Sequence, residues 1–178
     1  MTTIASVDRA VAFPDEAAGD WHVLRTKSRQ EKALASHLVA SGIEYFLPLL
    51  SVSKYYGGRK AIVEQPLFPG YLFLRGSLDD AYVADRTRRV AQIIPVRQQE
   101  SLARELWNIH VALSGEAPLD PFPYLQAGVR VEVREGPFRG LQGLIESRAR
   151  RDRLILQVDM LGRAVSLEIE PSLLDVLD

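Results

Sequence analysis

Chemistry in this 178-residue chain would have to come from three histidines, a scatter of carboxylates and no cysteine at all. The missing thiols exclude a disulfide framework, a thiolate metal centre and a cysteine nucleophile, and they fit a reducing cytoplasm. His22, His37 and His110 are far apart, and none has a second histidine or an acid at metal-ligand spacing, so no metal and no cofactor are expected. There is no G-x-S-x-G elbow, no phosphate-binding Walker loop and no G-x-G-x-x-G after a strand. Asp79 and Asp80 open a predicted helix, where acids complement the backbone dipole. The expectation is a protein that is not an enzyme, and the chemistry that remains is recognition.

Two kinds of residue could recognise a partner. Pro66-Leu67-Phe68-Pro69-Gly70-Tyr71-Leu72-Phe73-Leu74 is dense in aromatic and apolar side chains. Alternation along a strand puts Tyr71 and Phe73 on one face and Leu72 and Leu74 on the other. Left exposed, such aromatics make a docking patch; turned inward, they are core. The second kind is basic. Lys54, Arg59 and Lys60 flank a Gly-Gly pair, and Arg86, Arg88 and Arg89 follow the aromatic run. The chain's net charge of −1 conceals a segregation: residues 21–97 hold twelve bases against six acids, net +6. Residues 1–20 and 98–125 are each net −3, and residues 126–178 are net −1. A basic surplus of that size supports attraction to a phosphate backbone.

The elements that would carry these residues follow from periodicity. Trp21–Lys27 alternates as a strand, and Ser28 with Glu31 has the spacing of a capping box opening a helix that Gly42 stops. Ile43–Leu50 reads as a strand, and Gly57-Gly58 as the turn of a hairpin. Pro66–Arg75 reads as a strand, Leu78–Arg89 as a helix and Ala91–Val96 as a strand. Leu102, Leu106, Ile109 and Leu113 mark one face of a helix over Ser101–Leu113. This order predicts an α+β sandwich with helices against a mainly antiparallel sheet. Prolines 118, 121 and 123 then suggest an extended linker, after which Val129–Arg134, Gly143–Ser147, Leu154–Val158 and Ala164–Ile169 predict a small all-β barrel. The expected division is a flexible tail over 1–20, a first domain over 21–114, a linker over 115–125 and a second domain over 126–178. No apolar run is long enough for a membrane span, and the N-terminus does not read as a secretory signal.

The barrel opens with Gly128-Val129-Arg130-Val131-Glu132-Val133-Arg134-Glu135-Gly136-Pro137-Phe138-Arg139-Gly140-Leu141-Gln142-Gly143, an alternating strand running into a Gly-Pro turn. Together with the F-P-G-Y strand, the opening Trp21, Val23, Thr26, Lys27, Glu31 and Lys32, the Gly-Gly hairpin and Leu161-Gly162-Arg163, it resembles the NusG family of transcription elongation and antitermination factors. The run PLFPGYLF is as similar to specialised RfaH-like paralogues as to housekeeping members. The resemblance implies an N-terminal NGN domain that docks on the clamp helices of RNA polymerase, and a C-terminal KOW domain of SH3-like barrel form. Carried over by motif, the polymerase-docking residues are Phe68 and Tyr71, then Trp21, Phe46 and Ile93. The basic sets at 54, 59 and 60 and at 86, 88 and 89 would lie beside upstream or non-template DNA. A KOW partner, a small-subunit ribosomal protein or Rho, would meet Phe138, Met160, Leu161 and Arg163. The family usually has an aromatic just before the Gly-Arg pair; Leu161 after Met160 keeps an apolar knob with less aromatic area. The resemblance implies a cytoplasmic monomer with no membrane partner. The alternative is a ribosome- or RNA-binding KOW protein, but such barrels tend to be strongly basic and this one is not. LILQV at 154–158 and the glycine corners favour a stable barrel over a helical alternative.

Overall fold

A computed structural model describes residues 4–7, 13, 18–115, 119–122, 124, 128–145 and 153–178. The chain divides into two compact units. The first, residues 7–50 and 64–103, is built on a four-stranded antiparallel sheet in the order β3-β6-β2-β7. Here β2 is Asp20–Thr26, β3 Glu44–Phe46, β6 Tyr71–Gly76 and β7 Val90–Ile94. Its register sets Val23 opposite Phe73 and Ile94, and Leu24 opposite Leu72 and Ile93.

Because side chains alternate, this register sorts the sheet into two faces. On one, Leu24, Tyr45, Leu72 and Leu74 pack with Leu34, Ala35 and Leu38 of α1 (Glu31–Ala40) and Ala84 of α2 (Leu78–Arg86). The other carries Trp21, Val23, Phe46 and Phe73, all buried. Helix α3 (Gln99–Ser114) is fastened to β2 at its first residue: Gln99 Oε1 accepts from Trp21 N–H at 2.7 Å, and Gln99 Nε2 donates to Trp21 O at 2.9 Å.

Several sequence expectations shift at their ends. The Ser28–Glu31 capping box is not formed. Gln30 holds the N-cap of α1 without a side-chain bond, because Arg29 adopts φ +60° and takes Ser28 out of line. A capping box does form on α2, where Ser77 and Asp80 satisfy each other's backbone N–H groups. The strand expected from Pro66 begins at Tyr71, since Leu67–Gly70 make a turn after β5. Helix α2 ends at Arg86, and Arg88 at φ +61° leaves the helical region. Strands β4 (Pro48–Tyr56) and β5 (Arg59–Pro66) form the expected hairpin, with Gly57 and Gly58 at φ +55° and +79°, and β1 (Ile4–Val7) extends it to three strands on the β4 side.

The second unit includes residues 104–178. Its sheet is antiparallel throughout, in the order β13-β9-β10-β11-β12-β8. The strands are β8 Asp120–Phe122, β9 Val129–Val133, β10 Gln142–Ile145, β11 Arg153–Val158, β12 Arg163–Glu168 and β13 Leu174–Val176. Strand β8, inside the proline-rich stretch, pairs with β12. Val131, Val133, Leu141, Leu154, Leu156, Val158, Val165 and Leu167 fill the interior. The linker prolines 118 and 123 and the arginines 148, 150 and 151 lie outside the described residues.

Candidate docking surfaces

The aromatic motif is pinned as a turn by four backbone groups. Leu67 N–H donates to Pro48 O at 2.8 Å, Tyr71 N–H to Phe68 O at 3.1 Å, and Thr26 N–H to Gly70 O at 2.8 Å. Gly70 N–H donates across to Glu31 Oε1 at 2.7 Å, so a carboxylate of α1 holds the turn from below. Glu31 is buried, and this bond is the local reason its charge is tolerated there. Gly70 sits at φ +86°, which a side chain would resist.

Around this turn the aromatic residues separate into layers. Trp21 and Phe46 are 1% exposed and Phe68 is 3% exposed, whereas Tyr71 is half-buried. Trp21 and Phe46, expected to face a partner, are therefore core residues of the sheet, and Phe68 packs edge-to-face on Phe73 at 6.3 Å. Arg75 lies over Trp21 with its guanidinium carbon 5.3 Å from the ring centroid, a cation–π contact. Ile93 is not part of this cluster. Its register with Leu24 places it on the helix-covered face, where it lines a cleft of about 350 Å³ with Leu78, Tyr82 and Pro95. The structure thus keeps Phe68 and Tyr71 together at the turn, while Ile93 lines a separate cleft that Trp21 also borders.

The basic residues fall into a free set and a partly engaged one. Lys54, Arg59 and Lys60 are exposed at the hairpin and form no ion pair among the described residues. Tyr55 and Tyr56 stand exposed beside them, an aromatic pair that the sequence reading passed over. Arg86 and Arg88 are exposed, but Arg89 is half-buried: its guanidinium donates to Gln30 Oε1, and its carbonyl accepts from Lys27 N–H at 2.8 Å. Arg89 is thereby committed to the base of α1.

In the second unit Met160 is 39% exposed and Leu161 half-buried on a short 3-10 turn, with Arg163 exposed after Gly162. Phe138 is half-buried against Gly115, where an added Cβ would come within 2.2 Å of its ring. Beside the turn, Asp159 N–H donates to Glu105 Oε1 at 3.3 Å and Tyr124 Oη donates to Asp159 Oδ1 at 3.1 Å. Burial, with Asp159 nearby, pushes the Glu105 carboxyl from 4.5 up to about 7. Among the described residues no group of three or more acids, histidines or cysteines could hold a metal ion, and no helix is long and apolar enough to cross a membrane.

Glu31 and Gln99 are supporting residues that the sequence reading respectively misassigned and missed. Glu31 carried a signal, its place in the opening motif. Gln99 carried none, because a clasp on backbone groups 78 positions away leaves no local pattern.

A family model described as transcription termination factor NusG matches residues 19–106. The transcription termination/antitermination protein NusG of Neisseria meningitidis serogroup B is 28% identical over 170 residues, covering 84% of this chain and 93% of that protein. The protein of the same name from Rickettsia prowazekii is 25% identical over 185 residues, covering 94% and 95%. A solved structure of Thermotoga maritima NusG, described as a study of domain interaction, is 21% identical with a TM-score of 0.41, covering 89% of this chain and 97% of that one.

Proposed function

The chain belongs to the NusG family of transcription factors, and from that premise we propose that it docks on the clamp helices of RNA polymerase and suppresses pausing. The NGN domain spans 21–114 on this reading and is joined through 115–125 to a KOW domain over 126–178. Tyr71, presented at the rim of the turn that Glu31 and Thr26 fix, makes the docking contact, with Phe68 as its immediate support. The observation that carries this reading is the set of hydrogen bonds that holds the turn beneath Tyr71: a contact side chain whose backbone is fixed before binding gains affinity.

Lys54, Arg59 and Lys60, exposed and free of ion pairs among the described residues, serve nearby DNA, with Arg86 and Arg88 as a second basic set. Their contribution falls steeply with salt. Met160, Leu161, Phe138 and Arg163 form the KOW partner surface for a small-subunit ribosomal protein or Rho, and the protein acts as a cytoplasmic monomer. Tyr71→Asp is the direct test. The variant should fold as the parent does and lose co-purification with polymerase, together with any lengthening of transcripts in single-round transcription. Retention of both activities would refute the docking site.

A further inference from the structure

The most exposed aromatic rings among the described residues stand at the tip of the β4–β5 hairpin. Tyr55 and Tyr56, the last two residues of β4, are 65% and 59% exposed. Among the described residues no hydrogen bond and no ring contact engages either side chain. Apolar residues scattered singly over a surface are ordinary. Two adjacent rings held out at a turn, with nothing packed on them, are not accounted for by the fold.

The turn decides what stands beside them. Strand β4 ends at Tyr56 and β5 begins at Arg59, so Gly57 and Gly58 make a two-residue hairpin turn that sets Tyr56 opposite Arg59 and Tyr55 opposite Lys60. Opposed residues share a face, with Cβ atoms about 5 Å apart. Successive residues alternate faces, so each side of the ribbon presents one ring beside one cation. Lys54 joins Tyr56 and Arg59, and Ile62 adds an aliphatic neighbour on the Tyr55 side. Residues 51–63 hold three bases and no acid. The centre of a protein–protein patch is depleted of charge, whereas here cations flank both rings. Rings interleaved with cations match a polymer that alternates flat bases with single negative charges. In a duplex the base faces cover one another, so only an unpaired strand offers them.

We propose that Tyr55 and Tyr56 are a stacking platform for single-stranded DNA, each ring taking the face of an unpaired base while Lys60, Arg59 and Lys54 meet the flanking phosphates. This rests on the reading that the hairpin's cations serve nearby DNA, and adds to it the form of DNA bound and the residues that select that form. Phosphate contacts alone hold duplex and single strand alike. Stacking favours the strand whose bases are free, and it tolerates any sequence because every base has a π face.

The test uses the full chain and fluorescence anisotropy at low salt, with a labelled single-stranded DNA of mixed sequence and about twelve nucleotides, its duplex, and the RNA of the same sequence. Tyr55→Ala and Tyr56→Ala should each weaken single-strand binding about tenfold and leave duplex binding within about twofold. Tyr→Phe at either position keeps the ring and the parental affinity. Tyr→Leu keeps apolar bulk without a π face and must lose as much as Tyr→Ala. Parental single-strand binding by the alanine variants, an equal loss on the duplex, or retention by the leucine variants overturns the proposal. RNA bound more than about tenfold tighter than DNA also overturns it, because rings and cations do not read a 2′-hydroxyl. The triple variant Lys54→Gln/Arg59→Gln/Lys60→Gln separates the two premises. It should weaken single-strand and duplex binding together and flatten the single-strand salt slope by about 2. Parental binding by the triple variant means that the DNA reading of the hairpin is itself wrong. Loss by the triple variant with parental binding by the tyrosine variants leaves that reading standing and removes the stacking platform alone.

Discussion

Glu31 shows how far a residue's type and spacing can be read and where the reading turns. Its position three residues after Ser28 is that of a helix cap, and as a cap it would have been a surface detail. In the fold it is a buried carboxylate whose Oε1 takes the Gly70 N–H at 2.7 Å. The difference arises because Gly70 is 39 positions away, and only the pairing of β2 with β6 brings the two together. Removing the acceptor while Gly70 N–H stays enclosed costs the desolvation of that donor. Glu31→Ala is therefore expected to destabilise the protein by about 1–3 kcal/mol in urea unfolding and to weaken polymerase binding with it. Glu31→Gln retains an oxygen that can accept, so it should lose well under half as much. Equal losses in the two variants would mean that packing, not this hydrogen bond, is what Glu31 supplies.

At the level of elements, most of the architecture was legible because its signals are local. Paired glycines at 57 and 58 need a turn with positive φ, and they have it. The spacing of Leu102, Leu106 and Ile109 needs a helix with one buried face, and all three are fully buried on α3. What local pattern could not supply was which side of a strand meets helices. Alternation puts Tyr71 with Phe73, but only the β2–β7 register shows that Ile93 pairs with Leu24 and joins the opposite face. Strand β8 escaped notice for a related reason: three prolines in eight residues argue for a linker, and pairing at the edge of β12 overrides them. Two substitutions measure what the elements depend on. Ser77→Ala removes the capping box of α2 and should cost about 1 kcal/mol. Gly143→Ala puts a methyl 2.6 Å from Ile155 O and 2.9 Å from Leu154 Cδ1, between β10 and β11, and should cost roughly 1–3 kcal/mol through forced displacement. If both leave urea midpoints at the parental value, the cap and the close strand approach contribute nothing to stability.

For the molecule as a whole, charge is the property that sequence averages hid, and pH is the variable that exposes it. A net charge of −1 comprises a +6 segment over residues 21–97 and acidic or near-neutral remainders, so binding to polymerase–DNA complexes should weaken with salt more than the overall charge suggests. Stability has its own electrostatic signature at Glu105. Burial raises its carboxyl to about 7, with Asp159 adding to the rise, while the Asp159 N–H and Arg104 oppose it. The folded chain then holds this proton more tightly than the unfolded chain, whose carboxyl titrates near 4.5. Below pH 4.5 both states are protonated and Glu105 is without effect. Between 4.5 and 7 the unfolded chain ionises first, so native stability falls, and above 7 the loss is complete. Glu105→Gln keeps an acceptor for Asp159 N–H and cannot ionise. It should match the parent at pH 4 and exceed it at pH 8 by about 1 kcal/mol, a figure discounted because the carboxylate remains partly solvated. Urea midpoints of parent and variant at the two pH values decide the matter. A constant difference across both would show that Glu105 acts through its shape and hydrogen bond, whereas a gap absent at pH 4 and present at pH 8 assigns the effect to ionisation of the buried carboxyl.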